Sequence, residues 1–173
     1  MLPMKAIVAV DREWGIGYRG DLLARVRADL MHFRDLTLGK TVILGSKTLA
    51  TFPNGTVLKN RKNIILSKNP AFIAKGGVVV HSLEELSKEL KHHPVEDVMV
   101  IGGASVYHQL LPFCDTVYVT RFDHSFEKDA YFPNLDQDPA WELSKTGEEQ
   151  TSDPGTDSIA NLKFSFTTYI RKS

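Results

Sequence analysis

One cysteine, Cys114, stands in a chain of 173 residues, so no intramolecular disulfide can form and no cysteine cluster can hold a metal. That scarcity points to a reducing compartment, and a cytoplasmic setting is the expectation. Long apolar runs are missing too. The stretch Met1-Leu2-Pro3-Met4-Lys5 leads into a short apolar run that ends at Asp11-Arg12, too short for a signal-peptide core or a membrane span. Neither sign of charge is in excess, because 21 Lys and Arg face 21 Asp and Glu. This balance speaks against nucleic acid, membrane surfaces or polyanions as partners and favours a small-molecule substrate. Low-complexity tracts, internal repeats and linkers rich in Pro, Gly and Ser are absent as well, so a single domain over 1–173 is expected, and a monomer with it. Asn54-Gly55-Thr56 fits a glycosylation sequon, but without a secretory signal it reads as a turn.

What is present is an ordinary globular composition, 42% apolar and 24% charged. Strand-length apolar runs rich in Val and Ile occur at Ala6–Val10, Thr41–Leu44, Asn63–Leu66, Val78–Val80, Val98–Ile101 and Thr116–Thr120. Helical patterns separate several of them. Ser82-Leu83-Glu84-Glu85 is a capping box, in which Ser82 and Glu85 satisfy each other's backbone donors, and Leu86 and Leu90 follow at helical spacing. Trp141–Ser144 and Leu162–Ile170 read as strands joined by a polar loop, an antiparallel pair. The expected fold is α/β, with a mixed, mostly parallel central sheet, flanking helices and an antiparallel C-terminal edge.

Three glycine motifs invite functional readings. Gly15-Ile16-Gly17-Tyr18-Arg19-Gly20 matches a dinucleotide fingerprint with Asp35 downstream, but Asp11 to Trp14 separate it from the preceding strand and Asp35 lies within a helical pattern. That reading is rejected. Gly39-Lys40-Thr41 imitates a phosphate loop, yet Arg34 occupies the first glycine's place and a strand follows where a helix is required. Val98-Met99-Val100-Ile101-Gly102-Gly103 is stronger, since a buried strand ends in two glycines and Ala104, Val106, Tyr107, Leu110 and Leu111 continue as a helix. Such a junction lets a ligand approach the backbone and offers helix N–H groups to a phosphate; the alternative is a tight turn alone.

From Arg27 to Thr37 the pattern is helical, and Leu30, Phe33, Leu36 and Thr37 share one stripe with Asp29 at its edge. An aspartate on such a face is desolvated, which raises its pKa and makes it a candidate for proton handling; the alternative is an acid complementing the helix dipole. His92-His93 precede Pro94 and read as a solvated helix end. His32, His81, His108 and His124 show no ligand spacing, so no metal is expected. Lys59, Arg61 and Lys62 form a basic cluster that is solvated by default and suited to an anionic tail otherwise.

Ala6–Val10 with Asp11-Arg12-Glu13-Trp14-Gly15-Ile16-Gly17, Asp29-Leu30 with Phe33 and Thr37, Val42–Thr48, Arg61–Ser67, Val100–Tyr107 and Asp129-Ala130-Tyr131-Phe132-Pro133 together resemble dihydrofolate reductase. The match runs in order from about residue 5 to 170. This resemblance implies NADPH-dependent reduction of 7,8-dihydrofolate to tetrahydrofolate in one-carbon metabolism, and hence an antifolate target. Asp29 would hold the pterin and assist protonation at N5, Thr120 would hydrogen-bond Asp29, and Tyr107 would lie near the reacting rings. Ile7, Val8, Leu30, Phe33 and Ile101 would line the pterin, and Arg61 would pair with the glutamate carboxylate.

The same resemblance places Ala9, Ile16, Gly17, Gly45, Ser46, Lys47, Thr48, Ser67, Lys68, Gly102, Gly103, Ala104, Ser105 and Val106 against the dinucleotide. Trp14–Leu23 would be a mobile loop. Two departures stand out. Leu23-Ala24 replaces the family's proline-tryptophan, with a gap expected at Ala24, and Ser46 replaces an arginine for the 2′-phosphate, leaving Lys47 and Lys68 to favour NADPH. The rival readings are a related reductase of a ribosylated pyrimidine, disfavoured by Arg61, and a catalytically silent folate- or NADPH-binding protein, disfavoured by Asp29.

Overall fold

The computed structural model describes residues 3–173, so Met1 and Leu2 of the N-terminal stretch lie outside it. The chain opens with β1 (Met4–Val10), β2 (Gly15–Tyr18), β3 (Asp21–Leu22), α1 (Arg27–Thr37), β4 (Thr41–Gly45) and α2 (Ser46–Ala50). It continues through β5 (Lys62–Leu66), β6 (Val78–Val80), α3 (Leu83–Leu90), β7 (Val98–Gly102) and α4 (Ala104–Leu110). Last come β8 (Cys114–Phe122), β9 (Ala130–Tyr131), β10 (Trp141–Thr146), β11 (Gln150–Thr151) and β12 (Lys163–Arg171). The fold is mixed α/β, with a mostly parallel sheet and antiparallel C-terminal strands.

Two compact units make up the chain, one holding the residues up to Ala6 with Thr37–Cys114, the other Ile7–Leu36 with Asp115–Ser173. In the first, β7 pairs in parallel with the start of β1 and with β4, β4 with β5, and β5 with β6. Every residue of β4 and β7 is buried, as expected for parallel strands covered on both faces. Helix α3 starts at the predicted N-cap, where Ser82 Oγ accepts from the Glu85 N–H at 3.0 Å, and buries Leu86 and Leu90. The return bond is displaced by one residue. Glu85 accepts from the His81 N–H at 2.6 Å and leaves that of Ser82 aside. The solvated end expected at His93 is also corrected: its side chain is 8% exposed and bonds Glu89 at 2.8 Å and Thr41 Oγ1 at 3.1 Å. A polar partner on β4 draws the ring inward, and spacing along the sequence could not show it.

In the second unit β12 pairs antiparallel with both β8 and β10, and β11 adds a short rung. The segment Trp14–Leu23 contains the hairpin β2–β3, joined by Arg19 and Gly20 at positive φ and paired to β9. Gly15–Tyr18 is therefore a strand, and Asp35 lies in α1, which agrees with rejecting the dinucleotide fingerprint. An apolar cluster of Ala24, Val26, Phe122, Leu162 and Phe164 forms the core here, with Ala9, Phe126 and Phe166 packed against it.

Candidate active site

Helix α1 delivers Asp29 in its first turn, and β8 delivers Thr120 near the end of a mostly buried strand. Thr120 Oγ1 donates to Asp29 Oδ1 at 2.6 Å across 91 positions of sequence. Asp29 keeps some solvent access as a residue, but its carboxyl group is crowded by protein. Desolvation therefore pushes its pKa up to about 6, against the smaller lowering effect of the Thr120 hydrogen bond. An acid titrating there can hold a proton near neutrality and release it to a weak base.

The same unit buries Ile7 and Val8 on β1. The stripe on α1 is more open than expected. Leu30 is 43% exposed, Phe33 and Leu36 are half-buried, and Thr37 alone is buried. An apolar helix face that the protein leaves uncovered is available to an apolar ligand.

The first unit carries a glycine-lined cradle. Helices α2 and α4 both begin after glycines, Gly45 and Gly103, and neither has a side chain capping its first N–H groups. A Cβ on Gly45 would meet Val106 Cγ2 at 3.1 Å, and one on Gly103 would meet Thr48 Oγ1 at 3.1 Å. Gly102 has φ +125°, with the buried Tyr107 ring 3.3 Å from where a Cβ would stand. Ile101 is buried just before it, while Ala104 and Ser105 open α4. Uncapped donors beside missing side chains fit the phosphates of a dinucleotide.

Ser46, Lys47 and Thr48 form the first turn of α2, with Lys47 exposed. Ser67 is buried and Lys68 exposed just beyond β5. Arg61 lies before β5, where its Nη1 donates to Thr37 Oγ1 at 3.1 Å and its Nε to the Lys59 carbonyl at 2.9 Å. Those two bonds orient the guanidinium, which favours a fixed anion contact over a freely solvated chain. Ala9, Ile16 and Gly17 belong to the second unit, on β1 and β2. Among the described residues no cluster of His, Cys, Asp or Glu could hold a metal ion, and no helix is long and apolar enough to cross a membrane.

The gap expected at Ala24 is not found: the residue is 7% exposed within the apolar cluster of the second unit. Phe122 and Phe164 belong to the same cluster, so position 24 is part of a packed core. Ala24→Trp is therefore expected to overpack the core and cost about 1–3 kcal/mol. Urea denaturation should show this loss, and an unchanged midpoint would mean that the site can absorb the ring.

Two groups around the β2 hairpin escaped the sequence reading. Asp11 is fully buried and accepts from Lys128 Nζ at 2.6 Å and from the N–H groups of Gly15, Glu13 and Phe126 at 2.9–3.0 Å. Burial alone would raise its pKa, but these donors outweigh it and hold the carboxyl below its usual range. The Lys128 stem passes so close to Gly15 that a Cβ there would collide with it. Trp14, at φ +64°, is buried between the edge of Tyr169 and the Arg121 guanidinium, 5.0 Å from its ring. Arg121 in turn bonds Asp136 at 2.8 Å and the Tyr169 hydroxyl at 2.6 Å. Asp-Arg-Glu-Trp-Gly marked the turn, but nothing local pointed to partners more than a hundred residues away.

A desolvated acid in one unit and, in the other, helices that open after glycines, on an α/β scaffold, suit the class of dinucleotide-dependent enzymes. The family model described as dihydrofolate reductase matches residues 3–171. The dihydrofolate reductase of Bacillus subtilis is 36% identical over 150 residues, covering 86% of each chain. That of Staphylococcus haemolyticus is 34% identical over 143 residues, 83% of this chain and 84% of the relative. A solved structure of dihydrofolate reductase from Enterococcus faecalis, complexed with NADP(H) and RAB-propyl, superposes with a TM-score of 0.83 at 33% identity, covering 99% of this chain and 97% of that one. The chain belongs to the dihydrofolate reductase family.

Proposed function

We propose that this chain reduces 7,8-dihydrofolate to 5,6,7,8-tetrahydrofolate with NADPH, acting as a cytoplasmic monomer in one-carbon metabolism. The observation that carries the reading is the raised acid Asp29, held by Thr120 on the open apolar face of α1. A catalytically silent binding protein has little use for such a group.

NADPH, when bound, supplies the hydride. The residues of this chain do the rest. Ile7, Val8, Leu30 and Phe33 offer apolar surface to the pterin, and Ile101, just before Gly102-Gly103, offers it to the nicotinamide. Asp29 binds the pterin's polar edge and supplies the proton needed at N5, directly or through a water it orients. Thr120 keeps the carboxyl in one orientation. The uncapped N–H groups after Gly45 and Gly103 hold phosphate oxygens, and the Tyr107 ring closes the space beside Gly102. Lys47 and Lys68 offset the charge of the 2′-phosphate in place of the arginine that Ser46 replaces. Dihydrofolate-dependent loss of NADPH absorbance tests the reading. NADPH binding without turnover would leave the silent binding protein, and turnover of a ribosylated pyrimidine alone would leave the rival reductase.

Arg61 sets substrate choice in this reading. Arg61→Lys is expected to weaken dihydrofolate by about tenfold or more, because an ammonium cannot match a carboxylate bidentately, and to leave a pterin without the glutamate nearly unaffected. Equal losses for the two substrates would make Arg61 a surface residue. Replacing Lys47 and Lys68 together with alanine should shift preference toward NADH, and equal kcat/KM for NADPH and NADH in the unmodified protein would remove the charge argument.

A further inference from the structure

One ring on α1 has no part in the proposed chemistry yet makes the closest aromatic contact among those described. The His32 imidazole stacks on Phe166 with centroids 3.9 Å apart and planes 14° from parallel. Its place in the lattice of contacts around Asp29 is specific. His32 and Asp29 are three positions apart on α1, so they are neighbours on its surface. Phe166 on β12 is the direct cross-strand partner of Thr120 on β8. Directly opposed residues in an antiparallel pair project to the same face of the sheet. One pair of opposed strand residues thus grips one turn of the helix at two points, Thr120 on Asp29 and Phe166 on His32.

We propose that His32 is a positioning residue for Asp29: its ring, stacked on Phe166, fixes the rotation of α1 over β8 and β12 and shuts water away from the carboxyl group beside it. A single hydrogen bond leaves a helix free to roll about that bond. A second attachment one turn on removes that freedom. Phe166 is itself anchored, meeting the buried ring of Phe164 edge-on at 5.8 Å.

The neutral imidazole suits this role, since desolvation holds the pKa of His32 below its usual value and only the charge of Asp35 works the other way. The charged groups nearby are few. Asp29 and Asp35 lie on α1; Ser165 and Thr167, which flank Phe166, do not ionise; and Arg121, which flanks Thr120, is engaged by Asp136 and Tyr169. Raising Asp29 therefore falls to exclusion of water, which a flat ring at position 32 can provide and a methyl group cannot.

The inference rests on the proposed function only for the importance given to Asp29, and the test is separable from it. Carbon-13 NMR follows the titration of the Asp29 carboxyl in the ligand-free protein, alongside pH profiles of kcat/KM, for the unmodified chain, His32→Ala and His32→Phe. In His32→Ala the Asp29 midpoint is expected to fall by about one unit as water reaches the carboxyl, with a loss of about tenfold in kcat/KM near neutral pH. His32→Phe restores the stack and removes the second titration, so the midpoint stays or moves up and the activity recovers. An unchanged midpoint in His32→Ala, or the same fall in His32→Phe, overturns the proposal. Should His32→Ala not fold, Phe166→Leu removes the ring from the strand side and must lower the same midpoint, and failure to do so overturns the proposal equally. If Asp29→Asn keeps full activity, the acid's role in the reaction falls, while the titration midpoints still decide whether His32 positions it.

Discussion

Asp29→Asn is expected to lower kcat/KM by roughly 10²–10⁴-fold near neutral pH, with partial recovery in acid where solvent can protonate the substrate. Asparagine keeps the shape of the side chain but cannot release a proton to pterin N5. In the unmodified protein the carboxyl titrates at about 6, so kcat/KM should decline as pH rises through that value. Stability carries the opposite signature for the variant. A carboxyl whose pKa is raised on folding stabilises the native state fully below its unfolded value of 3.8 and loses that contribution as pH rises through about 6. Asp29→Asn should therefore melt at a higher temperature than the unmodified chain in mild alkali, while NADPH binding stays nearly unchanged. Full activity of the variant near pH 8 would return Asp29 to a structural role at a helix start.

Lys128→Met is expected to cost about 2–4 kcal/mol of stability, because it leaves the sealed Asp11 carboxylate without its lysine partner. Methionine preserves the apolar stem over Gly15 while removing the charge. The cost is placed below that of a deeply isolated charge because three backbone N–H groups still point at the carboxylate. Its folded pKa is depressed, so its stabilising contribution exists above the unfolded value of 3.8 and is lost as pH falls through the lower folded value. The gap between variant and unmodified protein should accordingly narrow below about pH 4. Urea denaturation at a series of pH values measures it. A difference under about 0.5 kcal/mol at neutral pH would mean that water reaches Asp11 once the ammonium is gone.

The strands were legible wherever the chain carries an unbroken apolar run, fully buried as in Val98–Ile101 or only partly buried as in Val78–Val80, and the limits of these two differ from the observed ones by at most one residue. Helix α1 was legible over its full length from periodicity, and α3 from Ser82 and the leucines behind it. Other short pieces were not. Helix α2 and strands β2, β3, β9 and β11 have five residues or fewer each, too few for a period to emerge, and the strands among them are completed by pairing partners. Polar residues divided in the same way: Asp29 and Gly102-Gly103 stood out because each breaks or ends an apolar pattern, whereas Lys128 and His93 sit in polar stretches and resemble ordinary surface residues.

By itself, then, the sequence determined the alternation of elements, the acid on α1, the glycine junction after β7 and the likeness to one reductase family, all of which are local patterns or ordered sets of local patterns. The tertiary structure alone decided which carboxyl groups are shut from water and who holds them. Thr120 reaches Asp29 across 91 positions and Lys128 reaches Asp11 across 117. The same kind of side chain is raised in the first case and lowered in the second. Desolvation and the donors that offset it are properties of three-dimensional surroundings, and a linear pattern records only the residue that experiences them.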